Sequence, residues 1–145
     1  MFQQFLANRS SSKRTTRARS AAVTVEFALT IPLLFLLFFG MIEFARIAMI
    51  ENSVENAAYE GARAAIVPGG TSTSAQTAAQ SALSAAMISG ATVSVTPSNI
   101  TIATTSVTVD VSVPLNSNTW VLAAFTSGRF VNRSCKLNRE KTSSL

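Results

Sequence analysis

The longest hydrophobic feature of the chain is an apolar run at residues 21–42. Glu26 is the only charged residue among these 22 positions, and residues 27–42 carry no charge at all. As a helix rising about 1.5 Å per residue, the run reaches roughly 33 Å, enough to cross the core of a bilayer. Residues 33–39 have no polar face, which disfavours the alternative of a buried core helix. The run therefore predicts a transmembrane helix, in which Pro32 can be tolerated.

Beyond this run the pattern becomes amphipathic and then alternating. Apolar or small residues recur at helical spacing, at Phe44, Ile47, Met49 or Ile50, Val54, Ala57 or Ala58, Gly61 and Ala65. One helix should therefore continue to about Ile66, where Pro68 and two glycines end it. A second, Ala-rich helix is predicted over residues 74–89, with Ser72 or Ser74 as its N-cap and Gly90 as its C-cap.

The remainder is rich in Val, Ile and Thr with period-two alternation, which is typical of half-buried strands. Strands are predicted at residues 92–96, 100–104, 107–113 and 130–137, with turns at 97–99 and 114–118. These strands contain few large apolar side chains, so the long helix must complete their core. The predicted fold class is α+β, pilin-like: a long N-terminal transmembrane and amphipathic helix, a second Ala-rich helix and a small antiparallel sheet.

The charge distribution predicts an orientation. Residues 1–20 are polar without helical periodicity, and we interpret them as a flexible cytoplasmic leader. Five basic residues and no acid precede the apolar run, whereas seven basic and seven acidic residues follow from Ala21 onward, so the net charge of +5 belongs to the leader. This pattern places the amino end in the cytoplasm and the C-terminal domain outside, rather than indicating a nucleic-acid surface. A secretory signal peptide is the alternative, but the small residues near 40–45 are poorly spaced for its cleavage.

The composition argues against enzymatic function. The chain has no histidine and one cysteine, Cys135, which excludes a Ser-His-Asp triad, zinc sites of the usual kind and an intramolecular disulfide. Gly69-Gly70 is not followed by the G-K-[ST] of a phosphate loop. We expect no catalytic residue, cofactor, metal or small-molecule substrate. The basic tail at 129–141 is interpreted as a solvated strand end, with contact to an acidic partner as the alternative.

Glu26 is the residue whose position needs an explanation. A carboxylate near the centre of an apolar span costs about 2.5–3.5 kcal/mol, and less near its edge. Glu26 lies about one turn from the cytoplasmic end, so it either reaches the interface without further role or has a function. Glu60 and Arg63, three positions apart, are compatible with a simple surface ion pair, and such a structural role is favoured over a binding role.

Several motifs in order lead to a resemblance. Ala22 begins an A-x-x-V-E-F-A motif that contains Glu26 and Phe27. The further matching positions are Arg17 and Arg19, Pro32-Leu33-Leu34, Gly40, Ile42-Glu43-Phe44, Arg46, Ala57-Ala58, and Glu60-Gly61-Ala62-Arg63. Residues 17–65 resemble the TadE-like family of pseudopilins, minor components of the Tad (tight adherence) pilus system.

The resemblance implies a leader at 1–21, a TadE-like helix at 22–66 and an extracytoplasmic α/β domain at 67–145. It further implies that a prepilin peptidase cuts between Ala21 and Ala22, although the family commonly has glycine where this chain has Ala21. Glu26 would then pair with the new terminal amine of a neighbouring subunit. The implied partners are the bilayer, the peptidase, other pilins or pseudopilins and the Tad inner-membrane assembly platform, with no nucleic acid.

Two functions of different classes follow from these observations. The first is a minor pseudopilin, a structural and assembly component of a Tad-type pilus or secretion machine in the inner membrane. The second is an unprocessed, single-pass envelope adhesin or scaffold. A secreted hydrolase would need catalytic residues that the sequence does not supply.

Overall fold

The computed structural model describes residues 2–120 and 127–139, with side chains from Ser20 onward. The elements in chain order are α1 (Phe2–Ile66), α2 (Ser72–Ala85), β1 (Thr92–Thr96), β2 (Ser106–Pro114) and β3 (Phe130–Asn138). The chain divides into two compact units, Met1–Met41 and Ile42–Leu145. A long apolar helix, a second helix and a three-stranded antiparallel sheet confirm the predicted α+β class.

The first unit is helical. α1 begins at Phe2, so the segment before the apolar run, interpreted from its sequence as flexible and without helical periodicity, is helical. Extending a helix that already exists avoids the cost of nucleation, so polar residues beside a long apolar helix can be helical without an apolar face of their own. Within the described residues, α1 is the one helix long and apolar enough to cross a membrane, and its most apolar window is entirely unburied.

The second unit begins with the amphipathic part of α1, which ends at Ile66 as predicted. Its buried face carries Ile50 rather than Met49, followed by Val54, Ala57, Ala58, Ala62 and Ala65. The three- and four-residue spacing of these positions aligns them on one stripe of the helix. The stripe joins a core cluster with the valines of the sheet, so the long helix does complete the core of the strands.

The sheet has the order β1-β2-β3, with β2 at its centre. The four valines of β2 at 107, 109, 111 and 113 are buried, whereas Asp110 between them is exposed. On the inner face, Val111 lies opposite Val93 of β1 and Arg133 of β3. The predicted strand at 92–96 is confirmed, and the other two extend one residue or so beyond their predicted ends.

The predicted strand at 100–104 is wrong. Residues 101–104 form a turn in which the Thr104 N–H donates to the Thr101 carbonyl at 3.0 Å. The Thr101 N–H donates in turn to the Thr104 hydroxyl at 3.0 Å. Threonine hydroxyls that satisfy the backbone locally compete with a strand ladder, which is why a Thr-rich, strand-like composition gives a turn here.

Both predicted caps of α2 are also wrong. Thr71 is the N-cap, and it forms a reciprocal capping box with Ser74 at N3. At the other end the Met87 N–H donates to the Ser84 carbonyl and the Ile88 N–H to the Leu83 carbonyl, both at 3.0 Å. This is a Schellman closure, in which Met87 takes the left-handed conformation (φ 56°) that usually requires glycine. Ile88 packs against the core, so the helix ends before Gly90.

Candidate functional site: the apolar helix and the loop bonded to it

The predicted processing and assembly residues lie on one exposed stretch of α1. Ala21, Ala22, Glu26 and Phe27 are all exposed. Residues four apart on a helix are neighbours, with β-carbons about 5–6 Å apart, so Ala22 and Glu26 share one face. Among the described residues, no side chain or backbone donor lies within hydrogen-bond distance of the Glu26 carboxylate.

The other polar groups of this stretch are satisfied within the helix. The Thr30 hydroxyl donates to the Glu26 carbonyl and the Thr24 hydroxyl to the Ser20 carbonyl, each at 2.8 Å. Such bonds to the carbonyl four residues earlier remove the cost of a hydroxyl in an apolar environment. Glu26 is therefore the polar side chain of residues 21–42 whose charge the helix itself does not balance.

The remaining positions of the apolar run have large apolar side chains that no described residue of the first unit covers. Phe35 and Phe39 stack with their ring centroids 6.2 Å apart, yet Phe35 is 56% exposed and Phe27 64% exposed. Around Gly40 an added β-carbon would meet nothing within 4 Å. A helix so uncovered needs lipid or other apolar helices around it.

At the start of the second unit, Glu43 is buried, only 1% exposed. Its carboxylate accepts the backbone N–H of Trp120, at 3.1 Å from Oε1 and 3.4 Å from Oε2. One turn further along α1, the Arg46 guanidinium donates through Nε to the Asn118 carbonyl. The same guanidinium lies 4.9 Å from the centre of the Trp120 ring, within cation–π range. Two side chains of α1 thus hold residues 118–120.

Asn118 fixes this loop from its other side. Its side chain is buried and makes three hydrogen bonds of 2.9 Å: Nδ2 donates to the carbonyls of Ser89 and Pro114, and Oδ1 accepts the Ser89 N–H. Asn118 therefore joins the end of β2 to the segment that follows α2. We call Glu43, Arg46, Asn118 and Trp120 the exit clamp.

The exit clamp combines predicted and unpredicted residues. The sequence singled out Glu43, Phe44 and Arg46 as a family motif; the structure brings Glu43 and Arg46 together, whereas Phe44 is 76% exposed. Asn118 and Trp120 were missed, because a loop asparagine has no periodicity that marks it. The one available signal was that Trp120 is the only tryptophan in the chain.

Gly61 lies where α1 packs against α2 and β2. An added β-carbon there would come within 3.0 Å of the Ala75 carbonyl oxygen, 3.1 Å of Ala79 Cβ and 3.2 Å of Val109 Cγ1. Glycine is thus what lets α2 and β2 approach α1 so closely. The adjacent Ala62 is buried, so this part of α1 packs against the chain's own α2 and β2.

Glu60 and Arg63, which are compatible with an ion pair, form no salt bridge with each other. In the part of the chain that the structure describes, the recorded salt bridge is instead between Glu51 on α1 and Arg133 on β3, with 3.1 Å between Oε2 and NH2. Arg133 lies on the inner face of the sheet, so it meets the helix that packs there. Both side chains are about half exposed, so the pair contributes at most about 1 kcal/mol.

The free thiol of Cys135 lies next to this ion pair along β3. Burial, and secondly the negative charge of Glu55, raise the pKa of the Cys135 thiol. A groove of about 490 Å³ between α1 and β3 is lined by Cys135, Glu55 and Tyr59, among others. The thiol is thus less ionised than a free cysteine at neutral pH. The predicted tail at 129–141 is strand β3 through Asn138; Glu140 and Lys141 lie outside the described residues.

The family model for TadE-like proteins matches residues 21–63. This segment is TadE-like. The match runs from the Ala21-Ala22 pair to Arg63, so it includes Glu26, the two α1 residues of the exit clamp and Gly61. A TadE-like segment indicates a component associated with the Tad pilus. No curated protein and no solved structure matches the chain.

Proposed function

We propose that this protein is a minor pseudopilin, a non-enzymatic structural component of a Tad-type pilus or secretion machine. The observation that carries the proposal is the position of Glu26. It is the single carboxylate of the uncovered apolar run at residues 21–42, four residues after Ala22 and within the TadE-like segment. A charge retained there is costly for a simple anchor but useful for a subunit that must choose its position among apolar helices.

In this proposal α1 spans the inner membrane with residues 1–21 in the cytoplasm. A prepilin peptidase hydrolyses the peptide bond between Ala21 and Ala22, which releases residues 1–21 and leaves an ammonium group on Ala22. The ammonium of one subunit then pairs with the Glu26 carboxylate of a neighbour. In a low-dielectric helical bundle, leaving either charge unpaired costs several kcal/mol, so the pair favours one register between subunits.

The basic residues support the orientation. Residues 1–20 hold five basic side chains and no acidic one, which favours their retention on the cytoplasmic side. The exit clamp supports the proposal that the residues after the apolar run form the extracytoplasmic domain, since a folded unit begins directly after that run. The assembly platform and the fibre subunits of the Tad system are the proposed protein partners.

The proposal is tested by the mature amino terminus. The full chain is expressed with and without an active prepilin peptidase, and the membrane-associated protein is analysed by intact mass and amino-terminal sequencing. We expect a chain that begins at Ala22 only when the peptidase is active. An Ala21→Gly variant serves as the matched control and should be cleaved at least as completely, since glycine is the family's common residue there.

The opposite result has a definite meaning. If residues 1–21 remain attached beside an active peptidase that does cleave Ala21→Gly, the natural chain is not processed. The unprocessed single-pass adhesin or scaffold then becomes the better interpretation, and the pairing role of Glu26 is lost with the Ala22 ammonium.

A further inference from the structure

The second unit carries large apolar side chains that packing leaves uncovered. Phe44 is 76% exposed, Met87 83%, Trp120 74% and Phe130 58%. Single exposed apolar residues are ordinary on protein surfaces, but several at one end of a small domain mark a surface that is covered in use. These four residues lie at one end of the second unit.

Hydrogen bonds and strand register connect the segments that carry these four residues. Trp120 is bonded to Glu43, the residue before Phe44. Phe130 lies opposite Pro114 at the last position of β2. Asn118 bonds the Pro114 carbonyl and both backbone groups of Ser89, and Ser89 is two residues after Met87. All four residues therefore lie at the end of the second unit that contains the beginning of its α1 segment, near Glu43.

Two basic residues lie among them. The Arg46 guanidinium is stacked on the Trp120 ring. Arg129 is exposed, and its carbonyl accepts the Leu115 N–H at 3.0 Å. We call Phe44, Met87, Trp120, Phe130, Arg46 and Arg129 the exit patch. Aromatic rings beside basic groups are the composition typical of side chains at a membrane–water interface.

The sequence determines the depth at which the exit patch would lie relative to a bilayer. The uncharged run ends at Ile42 and Glu43 follows it at once. If α1 crosses a bilayer, Glu43 lies at the outer boundary of the hydrocarbon core, and Trp120, bonded to its carboxylate, lies at the same depth. Trp and Tyr are enriched at this depth because the ring is apolar while its N–H or O–H remains polar.

We propose that the exit patch rests on the outer surface of the bilayer that α1 spans. The aromatic rings and Met87 lie at the boundary of headgroups and acyl chains, and the guanidinium groups of Arg46 and Arg129 contact lipid phosphates. This inference rests on the proposed membrane anchoring and adds a lipid contact of the folded unit itself. Lipid is favoured over a protein partner because the patch adjoins the end of the apolar run and carries basic groups suited to phosphates.

The single tryptophan makes the inference measurable. The full chain is reconstituted into vesicles of phosphatidylcholine and phosphatidylglycerol, with bromine atoms placed either near the top or near the end of the acyl chains. Trp120 fluorescence then reports only on the exit patch. We expect bromines near the top of the chains to quench it about twofold or more, with weaker quenching by the deeper bromines, as for an interfacial ring.

A matched control moves the tryptophan to the other end of the unit. The double variant Trp120→Phe, Ile102→Trp places it at a position that is 95% exposed, in the turn before β2. The nine residues of β2 separate the two ends by about 26 Å. This tryptophan should show no quenching by either bromolipid and full quenching by aqueous acrylamide.

Two outcomes overturn the proposal. Trp120 that is quenched by acrylamide but by neither bromolipid is in water. Blue-shifted emission without bromolipid quenching places the ring against protein. Co-flotation with the vesicles, measured on the same samples, separates membrane anchoring by α1 from the lipid contact of the exit patch. If the protein floats but Trp120 is unquenched, the anchoring holds and the lipid contact is refuted. If the protein does not float, both are refuted.

Discussion

At the residue scale, two glutamates show how position decides the role of a carboxylate. Glu26 lies within the apolar run and is exposed, with its charge unbalanced by the helix. Glu43 follows the run directly and is buried, with its oxygens occupied by the Trp120 N–H. The first is suited to a partner from outside the chain. The second holds a loop of its own chain to α1.

Replacing Glu43 tests the exit clamp. Glu43→Ala leaves the Trp120 N–H without this acceptor and opens a cavity, so we expect a loss of about 1–3 kcal/mol in the free energy of unfolding of the second unit. Glu43→Gln keeps an acceptor oxygen and should lose less. The measurement is urea denaturation in detergent followed by Trp120 fluorescence. Glu55→Ala, at an exposed position of the same helix, is the control; equal losses for Glu43→Ala and Glu55→Ala would argue against the clamp.

The pKa of the Cys135 thiol gives a prediction about pH. Because burial and Glu55 raise this pKa, the reactive thiolate is scarce at neutral pH and increases as the pH approaches the raised value. Iodoacetamide should therefore modify Cys135 more slowly than free cysteine at pH 8. Glu55→Gln removes the charge, lowers the pKa and should speed the reaction, whereas Glu60→Gln should leave it unchanged. A rate that does not respond to Glu55→Gln contradicts this assignment.

At the scale of elements, small residues determine how closely α1, α2 and β2 pack. The buried stripe of α1 is mostly alanine beyond Val54, and α2 contributes Ala75 and Ala79. Short side chains bring the helix backbones near each other but bury little apolar area apiece. The stability of this core therefore depends on close fit, which is most restrictive at Gly61.

Gly61→Ala tests that fit against Gly40→Ala. Both substitutions replace glycine within α1 and gain about 1 kcal/mol of helix propensity. At Gly61 the new methyl group meets the Ala75 carbonyl and the Ala79 β-carbon, neither of which can rotate away, so α2 must shift; such overpacking costs about 1–3 kcal/mol. We expect a lower urea midpoint for Gly61→Ala only. A urea midpoint for Gly61→Ala at or above that of Gly40→Ala would show that α2 can shift away from α1 without loss of stability.

At the scale of the whole molecule, charge and apolar surface are segregated along the chain. The five basic residues that account for the net charge precede the apolar run, and the rest of the chain is balanced. Proteolysis after Ala21 would remove that entire charge and weaken attraction to the anionic inner leaflet. The same cut would produce the ammonium group that Glu26 is proposed to pair with. One step would thus loosen the subunit and supply its assembly contact.

Glu26→Ala tests the role of this charge in assembly. Removing a carboxylate from an apolar span makes insertion easier by up to about 3 kcal/mol, so the variant should reach the membrane fraction normally. Without the partner for the Ala22 ammonium, incorporation into the pilus machinery and pilus yield should fall. Glu55→Ala, outside the apolar run, is the matched control. Normal pilus yield with Glu26→Ala would remove the proposed role.

The sequence by itself determined the features that depend on neighbours along the chain. The uncharged run defines the apolar part of α1, helical spacing carries α1 to Ile66, and alternating valines define β2 with its buried face. The TadE-like motifs were also readable, because they are short patterns in a fixed order along one helix. Local competition caused the errors: hydroxyl bonds made a turn at 101–104, and a Schellman closure ended α2 at Ala85.

Only the tertiary structure decided which residues meet across the chain. The exit clamp joins Glu43 to Trp120, 77 positions away, and Arg46 to Asn118, 72 positions away. Arg133 likewise forms its salt bridge with Glu51, 82 positions away. No period in the sequence encodes such contacts, because they depend on how α1 lies across the sheet. The sequence determined the apolar run and its one charge, and the tertiary contacts determined which residues lie beside the end of that run.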